Sequence, residues 1–233
     1  MRGRHHLQIS LLTGLILLAP FLLAEPVLSA ALLSGIGIGS LLPDCDASER
    51  SAKYGKPIVR LFDLISALAI YPLLRILFSG KKRHRGIMHT LIGVGACSAV
   101  LTAIACLIFA AAWQWPGTGI LALFGAGLFS GASLHLLEDA CTISGVNPFY
   151  PRCRGRVFRG NVSTTRKLEI RPAIFTTVLA ILFSLLMALD LWYHLAMPLL
   201  VAVAIFSAFI AWTGFLLLCR IQKAAKKEYG GPV

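Results

Sequence analysis

Charged residues are scarce in this chain, at 14% of 233 residues, where a soluble domain carries about a quarter. That scarcity, beside 57% hydrophobic residues, excludes an ordinary soluble domain. No C-x-x-C pair joins the six cysteines, Cys45, Cys97, Cys106, Cys141, Cys153 and Cys219. A cysteine zinc site and a disulfide framework are therefore excluded, and the thiols read as small apolar residues or free thiols. There is no internal repeat and no low-complexity linker, and the length leaves no room for a separate soluble domain. Residues 1–233 are one membrane-embedded domain. Its net charge of +12 does not make it a nucleic-acid binder, because a basic excess in a membrane protein marks its cytoplasmic loops and their contact with anionic lipid headgroups.

What is present is a series of apolar runs. They are Leu7 to Ala24, Val27 to Pro43, Ile58 to Phe78, Ile87 to Trp113, Thr118 to Leu137, Pro172 to Trp192 and Ala196 to Cys219. The first would form a helix of about 27 Å, close to the hydrocarbon thickness of about 30 Å. None has strand-like alternation, so the expected fold class is all-α, a polytopic bundle. Charge decides how many runs cross. If all seven did, the basic N-terminus and Lys81-Lys82-Arg83-His84-Arg85 would lie on opposite faces, against the positive-inside tendency. Ile58 to Phe78 holds Arg60, Asp63 and Arg75 and is the least lipid-like. Laid along the interface, it leaves six transmembrane helices with both termini cytoplasmic. All 22 Lys and Arg residues then lie on the cytoplasmic side or in the interfacial segment. Met1 to Ala24 also has the outline of a signal peptide, but the apolar run is long for one and a second follows at once, so a retained first span is expected. The C-terminal pair, within 172–219, forms a helical hairpin.

Ionisable residues beside spans are the informative ones. The topology comes from Lys and Arg alone, yet it gathers five of the six histidines and three of the five aspartates on one face. His5 and His6 start span one. Asp44 and Asp46 end span two, His84 and His89 open span three, and His135, Glu138 and Asp139 close span four. His135 and Asp139 share a helix face. Asp44-Cys45-Asp46, after Leu42-Pro43, offers two carboxylates on a strand-like or turn segment. Nitrogen and carboxylate ligands suit zinc, manganese or iron better than calcium. Their number allows one or two ions, with Asp139 the candidate bridge. Asp44 or Asp46 could orient water or act as base. Glu138 is a weaker candidate, pointing about 100° away from Asp139. Asp190 and His194, on the opposite face, read as structural. The loop from Ala140 to Arg171 carries Arg152 and Arg154 among seven cations. It reads either as a lipid-facing basic loop or, with Arg85, as a clamp for phosphate oxygens.

Three motifs stand in order. They are Leu41-Leu42-Pro43-Asp44-Cys45-Asp46, then His84-Arg85-Gly86-Ile87-Met88-His89-Thr90, then His135-Leu136-Leu137-Glu138-Asp139-Ala140-Cys141-Thr142-Ile143-Ser144-Gly145. With a histidine near the start, this resembles the YdjM-like family, described as LexA-regulated (SOS-response), membrane-bound, metal-dependent hydrolases of the bacterial inner membrane. The resemblance covers about residues 5–160. That family is similar, more distantly, to the zinc-dependent phospholipase C and single-strand nuclease superfamily. The resemblance implies metal roles for His6, Asp44, Asp46, His84, His89, His135 and Asp139, with zinc the leading ion. It departs at Ala47, where a His is common, at Met88, where a Ser or Thr is, and at Leu134, where a Ser is. The expected function is hydrolysis of a small or lipid phosphoester at the cytoplasmic face, with membrane lipids as partners. The rival expectation is a non-catalytic metal-binding membrane protein or a transporter.

Overall fold

The computed structural model describes residues 3–46, 87–112, 117–150, 156–163 and 169–225. They form a helical bundle. Its helices are α1 (Gly3–Leu18), α2 (Pro26–Gly39), α3 (Leu91–Ala111), α4 (Thr118–Ala140), α5 (Arg171–Tyr193) and α6 (Met197–Cys219). Among the described residues, α3, α4, α5 and α6 are long and apolar enough to cross a membrane, while α2, at 14 residues, is shorter. Ile58 to Phe78 lies outside the described residues.

Local chemistry sets the boundaries. Helix α1 stops at Leu18 instead of running to Ala24, because Pro20 falls in a 3₁₀ turn over Ala19–Phe21. Pro cannot supply the N–H that a continuing α-helix needs. Helices α2, α5 and α6 each carry Pro in the first turn, where the missing N–H has no helical partner to lose. Thr90 caps α3, its hydroxyl accepting from the Gly93 N–H at 3.0 Å. Helix α5 ends on His194 in the left-handed conformation, its N–H bonded to the Asp190 carbonyl. The Asp190/His194 spacing is thus joined through the backbone.

The closest packing is between α2 and α4. Gly35 and Gly39 on α2 face Gly127 and Gly131 on α4, each pair four residues apart. A Cβ at Gly39 would lie 2.1 Å from the Leu128 carbonyl oxygen, and one at Gly131 2.1 Å from that of Ile36. Only glycine fits, so the backbones touch. Small-xxx-small spacing is a usual way to pack helices where lipid supplies no hydrophobic drive. Residue order along the seam makes α2 and α4 parallel. Helix α1 runs against α2, with Gly14 meeting Leu33 and Ile36 while Gly37 meets Leu11 and Leu7. A second core joins α1 to α5 and α6 through Ile9, Ile16, Phe175, Leu179, Trp212 and Phe215. There Phe175 stacks on Phe215 at 4.1 Å and meets Trp212 edge-on. Outward faces of α5 and α6 are apolar, with Trp192 81% and Leu217 73% exposed, as lipid-facing helices require.

One departure from an all-helical expectation is small. Arg156–Arg159 (β1) pairs antiparallel with Gln222–Ala225 (β2). The ribbon is anchored to the bundle end through backbone bonds from Asn161 to Cys219 and from Val162 to Cys141. Four-residue strands carry too little alternation to be read against long apolar runs.

The seam makes a direct prediction. Gly39→Ala and Gly131→Ala should each destabilise the detergent-solubilised protein by ~1–3 kcal/mol or more, the cost of overpacking a tight contact. Gly119→Ala and Gly214→Ala, where a Cβ meets nothing within 4 Å, should not. Thermal unfolding followed by intrinsic fluorescence checks this, and an unchanged midpoint for Gly131→Ala would contradict it.

Candidate metal centre

The antiparallel and parallel contacts bring the N-termini of α1 and α3 and the C-termini of α2 and α4 to one end. His6 is in the first turn of α1. Asp44 lies in a 3₁₀ turn, Pro43–Asp46, just past α2, so the segment left open between strand-like and turn is a turn. His89 ends a 3₁₀ turn, Ile87–His89, ahead of the Thr90 cap. His135, Glu138 and Asp139 occupy the last turns of α4.

These side chains meet. His6 Nε2 is 3.8 Å from Asp139 Oδ1, and His89 Nε2 is 3.6 Å from Asp139 Oδ2. Asp44 Oδ1 is 3.9 Å from His89 Nε2 and 3.7 Å from His135 Nε2. The His6 and His135 rings stack at 4.0 Å, and His89 meets His135 edge-on at 5.8 Å. His6, His89, His135, Glu138 and Asp139 are at most 2% exposed, whereas the Asp44 side chain is 38% exposed. Asp44 is therefore the described member of the cluster that solvent reaches.

His135 defines the electrostatics. Its Nδ1 lies 2.7 Å from the Ser40 carbonyl oxygen, which can only accept, so Nδ1 carries the proton. In the neutral ring Nε2 then presents a lone pair. It is buried without a hydrogen-bond partner, facing a carboxylate oxygen that is also an acceptor. A buried lone pair opposed to another acceptor is unfavourable unless a cation lies between them. Donor atoms at ~2.0–2.1 Å around a tetrahedral ion sit roughly 3.3 Å apart. The observed gaps of 3.6–3.9 Å exceed that by a few tenths of an ångström. Two overlapping triads have ligand geometry, His6 with Asp44 and His135, and His89 with His135 and Asp139.

Five of the seven residues singled out from the sequence are thus brought together: His6, Asp44, His89, His135 and Asp139. The Asp46 side chain, His84, Arg85, Arg152 and Arg154 lie outside what the structure describes. Glu138 is the residue that sequence reasoning undervalued. It is fully buried, with Oε2 at 2.8 Å from His6 Nδ1 and Oε1 accepting from Ser10 Oγ at 3.2 Å. The signal for it was the combination of a carboxylate and an adjacent Asp at a span end with a histidine one helix away.

A family model described as YdjM inner membrane protein matches residues 1–219. The chain belongs to that family. No curated protein and no solved structure matches it. Membership makes this an inner membrane protein, in keeping with the four long apolar helices among the described residues. Two of the positions where the chain departs from the YdjM-like pattern are packed with apolar neighbours. Met88 is buried beside Leu42, and Leu134 packs on the α1–α5–α6 core.

Arg171, one of the cations between Ala140 and Arg171, is committed elsewhere. Its guanidinium grips both carboxylate oxygens of Glu169 at 2.7 Å and bonds Asn161 through its side-chain and backbone oxygens. This clasp ties the start of α5 to the segment after β1. The Arg171 hydrogen bonds, aided by the Ser163 N–H, lower the Glu169 pKa to about 2. A depressed folded pKa stabilises the fold fully above the ordinary carboxylate value of about 4.3. That contribution fades as pH falls toward about 2 and is absent below it. Glu169→Gln should therefore lower the unfolding midpoint at pH 7, and the difference from wild type should shrink steadily below pH 4. A difference independent of pH between 7 and 3 would contradict the clasp.

Proposed function

We propose that this protein is a membrane-bound, metal-dependent hydrolase acting on a phosphoester of a lipid or another amphiphile at the cytoplasmic membrane face. The observation that carries the reading is the buried His135 Nε2 lone pair opposed to the Asp44 carboxylate at 3.7 Å. Both ligand triads need His135, and its other nitrogen is engaged by Ser40. One nitrogen serves one ion, so the described residues favour a single ion centred on His135, with zinc the leading candidate. His6, His89, Asp44 and Asp139 would complete its ligands. A divalent ion bound there supplies Lewis acidity, polarising a phosphoryl oxygen and making water a stronger acid.

The chain's own groups take the remaining roles. Asp44, partly exposed, is positioned to orient the attacking water and accept its proton. Buried His6, His89 and Asp139 hold the site dry and fixed. Arg159 on β1 keeps a buried Nε without a hydrogen-bond partner, a donor open to an anionic group. Arg85, Arg152 and Arg154 would add to it.

The finer topology belongs to the same proposal. Six helices cross, with both termini cytoplasmic and Ile58 to Phe78 interfacial. Its support is that α1, α3 and α5 begin, and α2, α4 and α6 end, at the cluster end of the bundle. Ionisable groups collected at helix ends, not mid-membrane on several spans, favour surface chemistry over transport.

Wild-type protein purified in detergent should carry about one equivalent of divalent metal. It should hydrolyse a chromogenic phosphodiester or phospholipid vesicles in a way that chelation abolishes and added zinc restores. His135→Ala and Asp44→Asn should bind metal at least ~100-fold more weakly while still inserting, since each deletes a ligand where even an outer partner of a ligand is worth 10–100-fold. Metal-free wild type, or variants with undiminished metal content, would defeat the reading.

A further inference from the structure

We infer that Cys141 and Cys219 form a redox-sensitive pair, resting as thiols and closing to a disulfide when hydrogen peroxide reaches them. Spacing in the sequence does not pair them, because β1, α5 and most of α6 lie between. The fold does. Cys141 stands just past the end of α4, and Cys219 is the last residue of α6. One dipeptide holds both. The Asn161 N–H donates to the Cys219 carbonyl and the Val162 N–H to the Cys141 carbonyl, each at 3.0 Å. Gly160, just before, lies so close that a Cβ there would be 2.1 Å from the Cys141 carbonyl oxygen. The two helix ends are thus pinned to consecutive peptide groups, and their thiols face each other at interaction distance. Both cysteines are free, and both are buried in one core with Val162.

The surroundings suit a small oxidant. The Arg171 guanidinium acts electrostatically on Cys219, and the Glu169 clasp keeps it in place. Reactive cysteines sit beside such cations. Each cysteine is 0% exposed, which keeps out a bulky disulfide such as oxidised glutathione. Neutral peroxide, hardly larger than water, is not kept out in the same way. The Cys219 sulfur attacks one peroxide oxygen, and the O–O bond breaks to give a sulfenic acid and one water. The Cys141 sulfur then attacks the Cys219 sulfur. The S–O bond breaks, and the hydroxyl leaves with the Cys141 proton as a second water. Two thiols lose two electrons, and peroxide gains them. The new bond draws the sulfurs to ~2.05 Å. On the cytoplasmic placement proposed above, ambient thiols keep the pair reduced until oxidant rises. The linked state ties the end of α4, two residues beyond Asp139, to the segment that enters β2.

The test uses full-length protein in inner-membrane vesicles, treated with hydrogen peroxide, alkylated in denaturant and digested without reductant for mass spectrometry. A peptide linking Cys141 to Cys219 should appear with peroxide and vanish on reduction. Untreated membranes alkylated at harvest should lack it, and oxidised glutathione at the same concentration should not produce it. Cys141→Ala and Cys219→Ala should each lose the linked peptide, while Cys106→Ala keeps it. In Cys141→Ala, dimedone should trap a sulfenic acid on Cys219. Peroxide should raise the thermal midpoint of wild type and leave that of Cys219→Ala unchanged, because a cross-link restricts the unfolded chain. Thiols that stay unmodified, that oxidise to sulfinic acid without linking, or that link to other cysteines would overturn the inference. A linked peptide in untreated membranes would overturn the resting thiol state and the cytoplasmic placement together, without touching the metal reading. If an alanine variant does not fold, the linked peptide of wild type decides the matter.

Discussion

Backbone contact between α2 and α4 is the constraint on which the rest depends. Adjacent helices ordinarily keep their axes 8–10 Å apart. The glycine pairs Gly35/Gly39 and Gly127/Gly131 let these two approach until carbonyl oxygens of one lie where Cβ atoms of the other would be. That approach delivers the Ser40 carbonyl to His135 at 2.7 Å. It also sets the turn after α2, with Asp44, over the end of α4. A seam loosened by a methyl group at Gly39 or Gly131 would therefore disturb the fold and the cluster together. Parallel alignment of α2 and α4 matters equally, since it puts both C-terminal ends, with their partial negative charge, beside the cluster.

Around that seam the described side chains of the cluster set imidazole nitrogens against carboxylate oxygens. The neutral His135 ring spends its proton on the Ser40 carbonyl and presents Nε2 toward Asp44, while His6 lies between Glu138 and Asp139. Burial makes such an arrangement costly without a compensating cation. The partial exposure of Asp44 leaves one side of the cluster open. The described histidines and Asp139 are thus closed off from solvent, while Asp44 is the side of the cluster that solvent reaches.

Much of this was legible in the sequence. Apolar runs located the described helices, most of them to within a few residues and the end of α1 less well, because a span needs nearly unbroken apolar length. Charge placement gathered the histidines and aspartates at one end, and the contacts of His6, Asp44, His89, His135 and Asp139 follow that gathering. Other features were less visible. The glycine seam was present as two four-residue spacings, but glycine in an apolar run reads first as composition and only the partner helix gives it meaning. Glu138 was placed by angle on its own helix, which cannot reveal that α1 crosses its end. The β1–β2 ribbon joins segments more than sixty residues apart through strands of four residues, too short for a periodic signal. Arg171 read as one of many loop cations, whereas Glu169 and Asn161 claim it by geometry that spacing does not encode.

X-ray absorption at the zinc edge on the purified, zinc-loaded protein tests the central claim most directly, because it reads the ligands without reference to activity. The account predicts only nitrogen and oxygen neighbours at ~2.0–2.1 Å, with the outer-shell scattering of two or three imidazoles. Sulfur at ~2.3 Å, which would point to cysteines such as Cys141, or a shell without imidazole scattering, would contradict it.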